Sequence, residues 1–105
     1  MTYKYKGIII NYDIIGQGNP IILLHGWGTN KDTFSSLSNL LKNNYEVHLI
    51  DLIGFGKSEE PFKPFSLSDY VYFLNDYIRR NNLNKPIILG HSFGGRIAIK
   101  YSSMF

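Results

Sequence analysis

The segment Gly90-His91-Ser92-Phe93-Gly94-Gly95 joins an apolar run, Pro86-Ile87-Ile88-Leu89, to a helix-like stretch, Arg96–Tyr101. A serine on a sharp turn between strand and helix, with glycines around it, has the setting of a nucleophile elbow. Gly90 lets the strand and the following helix approach closely, and Gly94 relieves crowding where the helix starts. A plain strand-to-helix turn does not need three glycines around its serine. The chemistry expected of Ser92 is attack on a carbonyl carbon, which requires a base to take its proton. Charge then builds on the carbonyl oxygen and calls for N–H donors. The backbone N–H of Phe93, just after the serine and at the positive end of its helix, is the expected first donor.

The rest of that machinery is not evident. Residues 93–105 contain no Asp, Glu or His. His91 neighbours Ser92 on a strand end, where adjacent side chains point apart, so it is not expected to serve as the base. His25 is expected to hold its own loop in shape, and His48 lies inside a strand. No two histidines have ligand spacing on a helix, and there is no cysteine, so no metal site is expected. Asp51–Ser58 nearly matches the phosphate-binding pattern Gly-x-x-x-x-Gly-Lys-Ser, with Asp51 in place of the first glycine. Glu59, Glu60, Pro61 and Pro64 come after it instead of a helix. The acids repel phosphate and the prolines oppose the helix, so phosphate binding is not expected and Glu59-Glu60 is read as solvated.

The elements that must position Ser92 are legible from periodicity. Tyr3–Lys6 and Ile8–Ile14, separated by Gly7, suit an antiparallel pair at a sheet edge. Gly16–Pro20 is a turn cluster. Ile21–Leu24 is a continuous apolar run of the kind buried on both faces in a parallel sheet, and Tyr45–Ile50 and Ile87–Leu89 are the next strands. Thr29 and Asn30 can cap a helix with a Phe34, Leu37, Leu40, Leu41 stripe, running to about Asn43. Ser66–Asp69 is a capping-box variant, and Leu67, Tyr70, Val71, Leu74, Tyr77 and Ile78 share a helical face. Residues 94–104 form the last helix. Strands alternating with helices give an α/β class: a mostly parallel sheet with an antiparallel N-terminal edge and helices on both faces.

Three segments then fall in order at strand ends: His25-Gly26-Trp27-Gly28, Asp51-Leu52-Ile53-Gly54-Phe55-Gly56-Lys57-Ser58, and Gly90–Gly95. Together they resemble the N-terminal half of the α/β-hydrolase superfamily, over the whole of this chain. The resemblance implies a catalytic Ser92, with the backbone N–H of Trp27 as the second donor beside that of Phe93. Gly26, Gly28, Gly90 and Gly94 are the glycines of the two loops, and the resemblance implies a structural role for the Asp51–Ser58 loop, with Asp51 bonding nearby backbone. The Trp27 and Phe93 side chains are free to line a pocket for an apolar acyl or alcohol group. In this family the acid and the histidine of the triad come after the serine along the chain. The implied activity is hydrolysis of a small ester, thioester, amide or carbon–carbon bond through an acyl-enzyme, with no cofactor. Residues 1–105 are then the N-terminal part of a single domain, without its later strands or any cap. The alternative is a catalytically incomplete fragment or decayed product. In either case the strand ending at Leu89 is left with an open apolar edge that invites self-association.

Composition narrows the partners. The net charge is +3 and the basic residues are scattered, with no run of five like charges, so neither nucleic acid nor a membrane surface is an expected partner. The substrate is expected to be a small molecule. Met1–Ile10 is too short and too polar for a signal peptide or a membrane span, and the chain is expected to be cytoplasmic.

Overall fold

A computed structural model describes residues 1–105. Five strands, β1 (Thr2–Tyr5), β2 (Ile8–Gly16), β3 (Asn19–Leu24), β4 (Tyr45–Ile50) and β5 (Ile87–Gly90), form one sheet in the order β1-β2-β4-β3-β5. The β1–β2 and β2–β4 pairs are antiparallel, whereas β3 runs parallel to both β4 and β5. The first pair turns at Lys6-Gly7, both at positive φ (49° and 81°), a two-residue turn whose twist suits a hairpin. The three helices are α1 (Ser35–Leu41), α2 (Leu67–Arg80) and α3 (Phe93–Met104). None is long and apolar enough to cross a membrane.

The two faces of the sheet are packed unequally. Ile22 and Leu24 of β3 and Ile50 of β4 join Tyr70, Phe73, Leu74 and Tyr77 of α2 and Ile97 of α3 in the larger core. Ile21, Leu23, Val47 and Leu49 face the other way, onto Phe34 with Leu37 and Leu41. The continuous apolar run of β3 has this cause, since alternate residues serve different cores. Burying each such side chain contributes about 1.5–3 kcal/mol.

Helix starts obey local chemistry. The Ser66 hydroxyl accepts from the Asp69 N–H (3.1 Å) and the Asp69 carboxylate accepts from the Ser66 N–H (2.8 Å), a complete capping box for α2. The Asn30 side chain accepts from the Asp32 N–H at 2.9 Å. This cap opens a single 3-10 turn, Lys31–Phe34, which leads into a short α1. The helix expected to reach Asn43 is therefore shorter and split. Its stripe shifts as well: Leu40 is 76% exposed, and Ser38 is buried on the inner face instead. The change from three to 3.6 residues per turn at Ser35 breaks the register that a continuous helix would have kept.

On the α1 side β5 has no helix over it. Ile87 and Leu89 stand level with Ile21 and Leu23 but remain 48% and 37% exposed. The outer edge of β5 pairs with no strand.

Candidate active site

Ser92 lies between β5 and α3 with φ 55° and ψ −116°. This is a costly conformation for a residue with a Cβ, on the order of 1–3 kcal/mol, and it persists only where neighbours enforce it. Here the His91 N–H donates to the Leu24 carbonyl (3.0 Å), the Gly94 N–H to the His91 carbonyl (3.0 Å) and the Arg96 N–H to the Ser92 carbonyl (3.2 Å). The side chain of Ser92 is exposed and its hydroxyl makes no hydrogen bond within the chain.

The glycines make this turn fit. A Cβ on Gly90 would collide with the backbone of Gly94 and Gly95, and one on Gly94 with the carbonyls of Leu24 and His25. Gly26 lies against the serine itself, where a Cβ would come 3.3 Å from both the Ser92 Cβ and the His91 Nδ1. Gly28 differs, because nothing surrounds it and its φ of 78° is what requires glycine. The β3 end and the β5 end are thus brought together, with Trp27 and Phe93 on the two turns that meet there. Their rings are 5.0 Å apart, edge to face. Neither the Trp27 nor the Phe93 N–H donates to any backbone carbonyl. Packing against Phe93 does not bury Trp27, which remains 64% exposed and is no part of a core.

His25 is fully buried and holds the first turn. The Leu52 N–H donates to its Nε2 at 3.0 Å, so that nitrogen carries no proton. The proton sits on Nδ1, which donates to the Gly26 carbonyl at 2.8 Å. The Thr29 hydroxyl donates to the same carbonyl, also at 2.8 Å. Burial lowers the His25 pKa, outweighing the Gly26 carbonyl and the Asp51 carboxylate, which pull it upward.

Asp51 organises the second loop. Its carboxylate accepts from the Lys31 N–H (2.8 Å), the Lys57 N–H (3.0 Å) and the Asn11 side chain (3.0 Å). Burial works to raise its pKa, but these donors prevail and the carboxyl is held below its ordinary value. The Ser58 hydroxyl donates to the Asp51 carbonyl (2.6 Å) and accepts from the Asn11 N–H (2.9 Å). In the near-match to a phosphate loop, the Lys57 N–H and the Ser58 hydroxyl are therefore spent on Asp51, as the structural reading expects. Glu59 departs from expectation, since its carboxylate accepts from the Ile9 N–H at 2.8 Å and so pins the loop to β2. His48 is buried, bonded to the Tyr77 hydroxyl (2.6 Å) and to Glu46 (2.7 Å), far along β4 from the serine turn.

Beside Trp27 opens a cavity of about 320 Å³ lined by Phe55, Phe65 and Tyr70, with Glu60 in its wall. The Phe55 ring sits 4.7 Å from that of Trp27, and Tyr70 lies 5.1 Å from Phe93 and 5.2 Å from Phe65. Sequence reasoning expects Trp27 and Phe93 to line a pocket; Trp27 lines this cavity, Phe93 packs against the larger core instead, and Phe55, Phe65 and Tyr70 are missed. Their only signal is the density of aromatics between Phe55 and Tyr70.

Comparison with known proteins agrees with this fold. An esterase from Exiguobacterium antarcticum superposes with a TM-score of 0.86 at 34% identity, covering 91% of this chain and 36% of the esterase. A marine microorganism esterase gives 0.86 at 31% identity, over 90% and 36%. An uncharacterized protein of Mycobacterium tuberculosis is 31% identical over 94 residues, 90% of this chain and 28% of the relative. The chain thus spans under a third of that relative and little over a third of each esterase. Residues 19–105 match the family model described as the alpha/beta hydrolase fold. The chain belongs to the α/β-hydrolase family.

Proposed function

We propose that Ser92 is the nucleophile of a serine hydrolase acting on a small ester, thioester, amide or carbon–carbon bond. The hydroxyl oxygen bonds to the carbonyl carbon and its proton passes to a base. The carbonyl oxygen takes the developing charge opposite the Trp27 and Phe93 N–H groups. The leaving group departs with a proton, and water then cleaves the Ser92 acyl ester. The observation that carries this reading is the strained Ser92 turn, whose hydroxyl is free and whose two neighbouring N–H groups have no acceptor. Esterases among the structural relatives support it.

In this reading residues 1–105 are the N-terminal part of one hydrolase domain, and the triad acid and histidine come from chain beyond Phe105. A second reading is a catalytically incomplete product, in which the Ser92 hydroxyl, without a hydrogen-bond partner among residues 1–105, is never activated. Both can be tested on the 105-residue chain with a fluorophosphonate probe, adding imidazole as an external base. The expected result is a slow adduct at Ser92, mapped by peptide mass spectrometry, accelerated by imidazole and absent from Ser92→Ala. Equal labelling of Ser92→Ala overturns the nucleophile assignment. Fast turnover of a short-chain aryl ester without imidazole, lost in Ser92→Ala, removes the second reading.

A further inference from the structure

The cavity beside Trp27 carries a formal charge of one sign. Of its lining side chains only Glu60 is ionisable near neutral pH, and its carboxylate enters no ion pair and no hydrogen bond. Glu59, next to it, is occupied by the Ile9 N–H. Lys63 belongs to the same loop but does not line the cavity. Among the lining donors, the indole N–H of Trp27 and the backbone N–H groups of Trp27, Glu60 and Phe65 have no acceptor within the chain, and the others are occupied. The Tyr70 hydroxyl donates to the Ile53 carbonyl (2.8 Å), the Gly54 N–H to the Glu59 carbonyl and the Phe55 N–H to the Leu52 carbonyl (2.9 Å each). Pro61 and Pro64 have no N–H to give. The remaining walls are aromatic, and ring faces attract cations.

We propose that this cavity receives the side group of the substrate and selects a compact apolar group bearing a positive charge over one bearing a negative charge, with Glu60 as the specificity-determining residue. The proposal rests on the serine-hydrolase reading, in which the reacting carbonyl lies at the Trp27 and Phe93 N–H groups, and Trp27 also lines this cavity. An anionic arm meets the unpaired, exposed carboxylate of Glu60, and their repulsion is partly screened by salt.

The test does not need catalysis. Trp27 is the only tryptophan in the chain and lines the cavity, so its fluorescence reports occupancy. The 105-residue chain is titrated with benzyltrimethylammonium, benzyl alcohol and phenylacetate. A saturable change is expected for the cation at about threefold lower concentration than for the alcohol, with phenylacetate weakest, and this spread should shrink at high salt. Glu60→Gln is expected to bring the cation and the anion together while leaving the alcohol unchanged, and Glu60→Lys to invert the order. Glu60 is exposed, and far-UV circular dichroism verifies the fold of both variants. Phenylacetate binding as tightly as the cation overturns the proposal. So does a spread unchanged in Glu60→Gln, or the absence of any saturable response at Trp27. The two claims fail separately: equal probe labelling of the parent and Ser92→Ala with charge selection intact removes only the nucleophile reading, and a Ser92 adduct without charge selection removes only this proposal.

Discussion

At the scale of single residues, the first turn depends on the protonation of one imidazole. His25 must offer a bare Nε2 to the Leu52 N–H while its Nδ1–H holds the Gly26 carbonyl, and only the neutral ring does both. Its folded pKa lies below the ordinary 6.5 because burial disfavours the charge. The unfolded chain therefore binds the proton first as pH falls. Stability contributed by His25 is complete above about pH 6.5 and declines below it, down to the folded pKa. Thermal melts between pH 8 and pH 5 should show this decline, and His25→Ala should remove it. That variant also strands a buried Leu52 N–H, at a cost of about 1–3 kcal/mol at pH 8. A pH profile identical in the two proteins counts against the assignment. The sequence suggests that His25, at a strand end beside Gly26, steadies its loop, and the family resemblance implies that Asp51 bonds backbone. It does not give their partners, which come from Leu52, Lys31, Lys57 and Asn11, brought in only by tertiary folding.

At the scale of elements, the serine turn is a contact between strands and a helix. Gly94 packs under the end of β3, so α3 can start there only without a side chain. Gly94→Ala should cost about 3 kcal/mol in urea unfolding, the upper part of the overpacking range. Gly95→Ala, one residue later, would place its Cβ 3.3 Å from the Gly90 carbonyl oxygen and regain about 1 kcal/mol of helix propensity. It should stay within about 1 kcal/mol of the parent. Equal losses in the two variants would contradict the close approach argued for Gly94. Strands, capping box and helix order are all readable in the sequence, since each is fixed by short-range pattern. The 3-10 turn before α1 is not, because Phe34, Leu37 and Leu41 satisfy a helical stripe whichever way the first turn winds.

At the scale of the whole molecule, the open side of β5 dominates. Its outer edge has unpaired backbone groups, and Ile87 and Leu89 leave one face of that strand without a covering helix. Such edges template pairing with other chains, and lysine is the usual guard against it. The chain is expected to self-associate with rising concentration in sedimentation velocity, and Ile87→Lys to move it toward monomer. A parent that stays monomeric throughout would rule out that role for the edge. The strand order has another consequence, for the timing of synthesis. β4 lies between β2 and β3, which are not paired with each other. A nascent chain that has emerged only as far as Asn44 can therefore hold the β1–β2 hairpin, but β3 has neither of its neighbours. When residues 45–50 emerge they supply a partner to both strands at once, so the ribosome delivers the keystone of the sheet after the stones it must join.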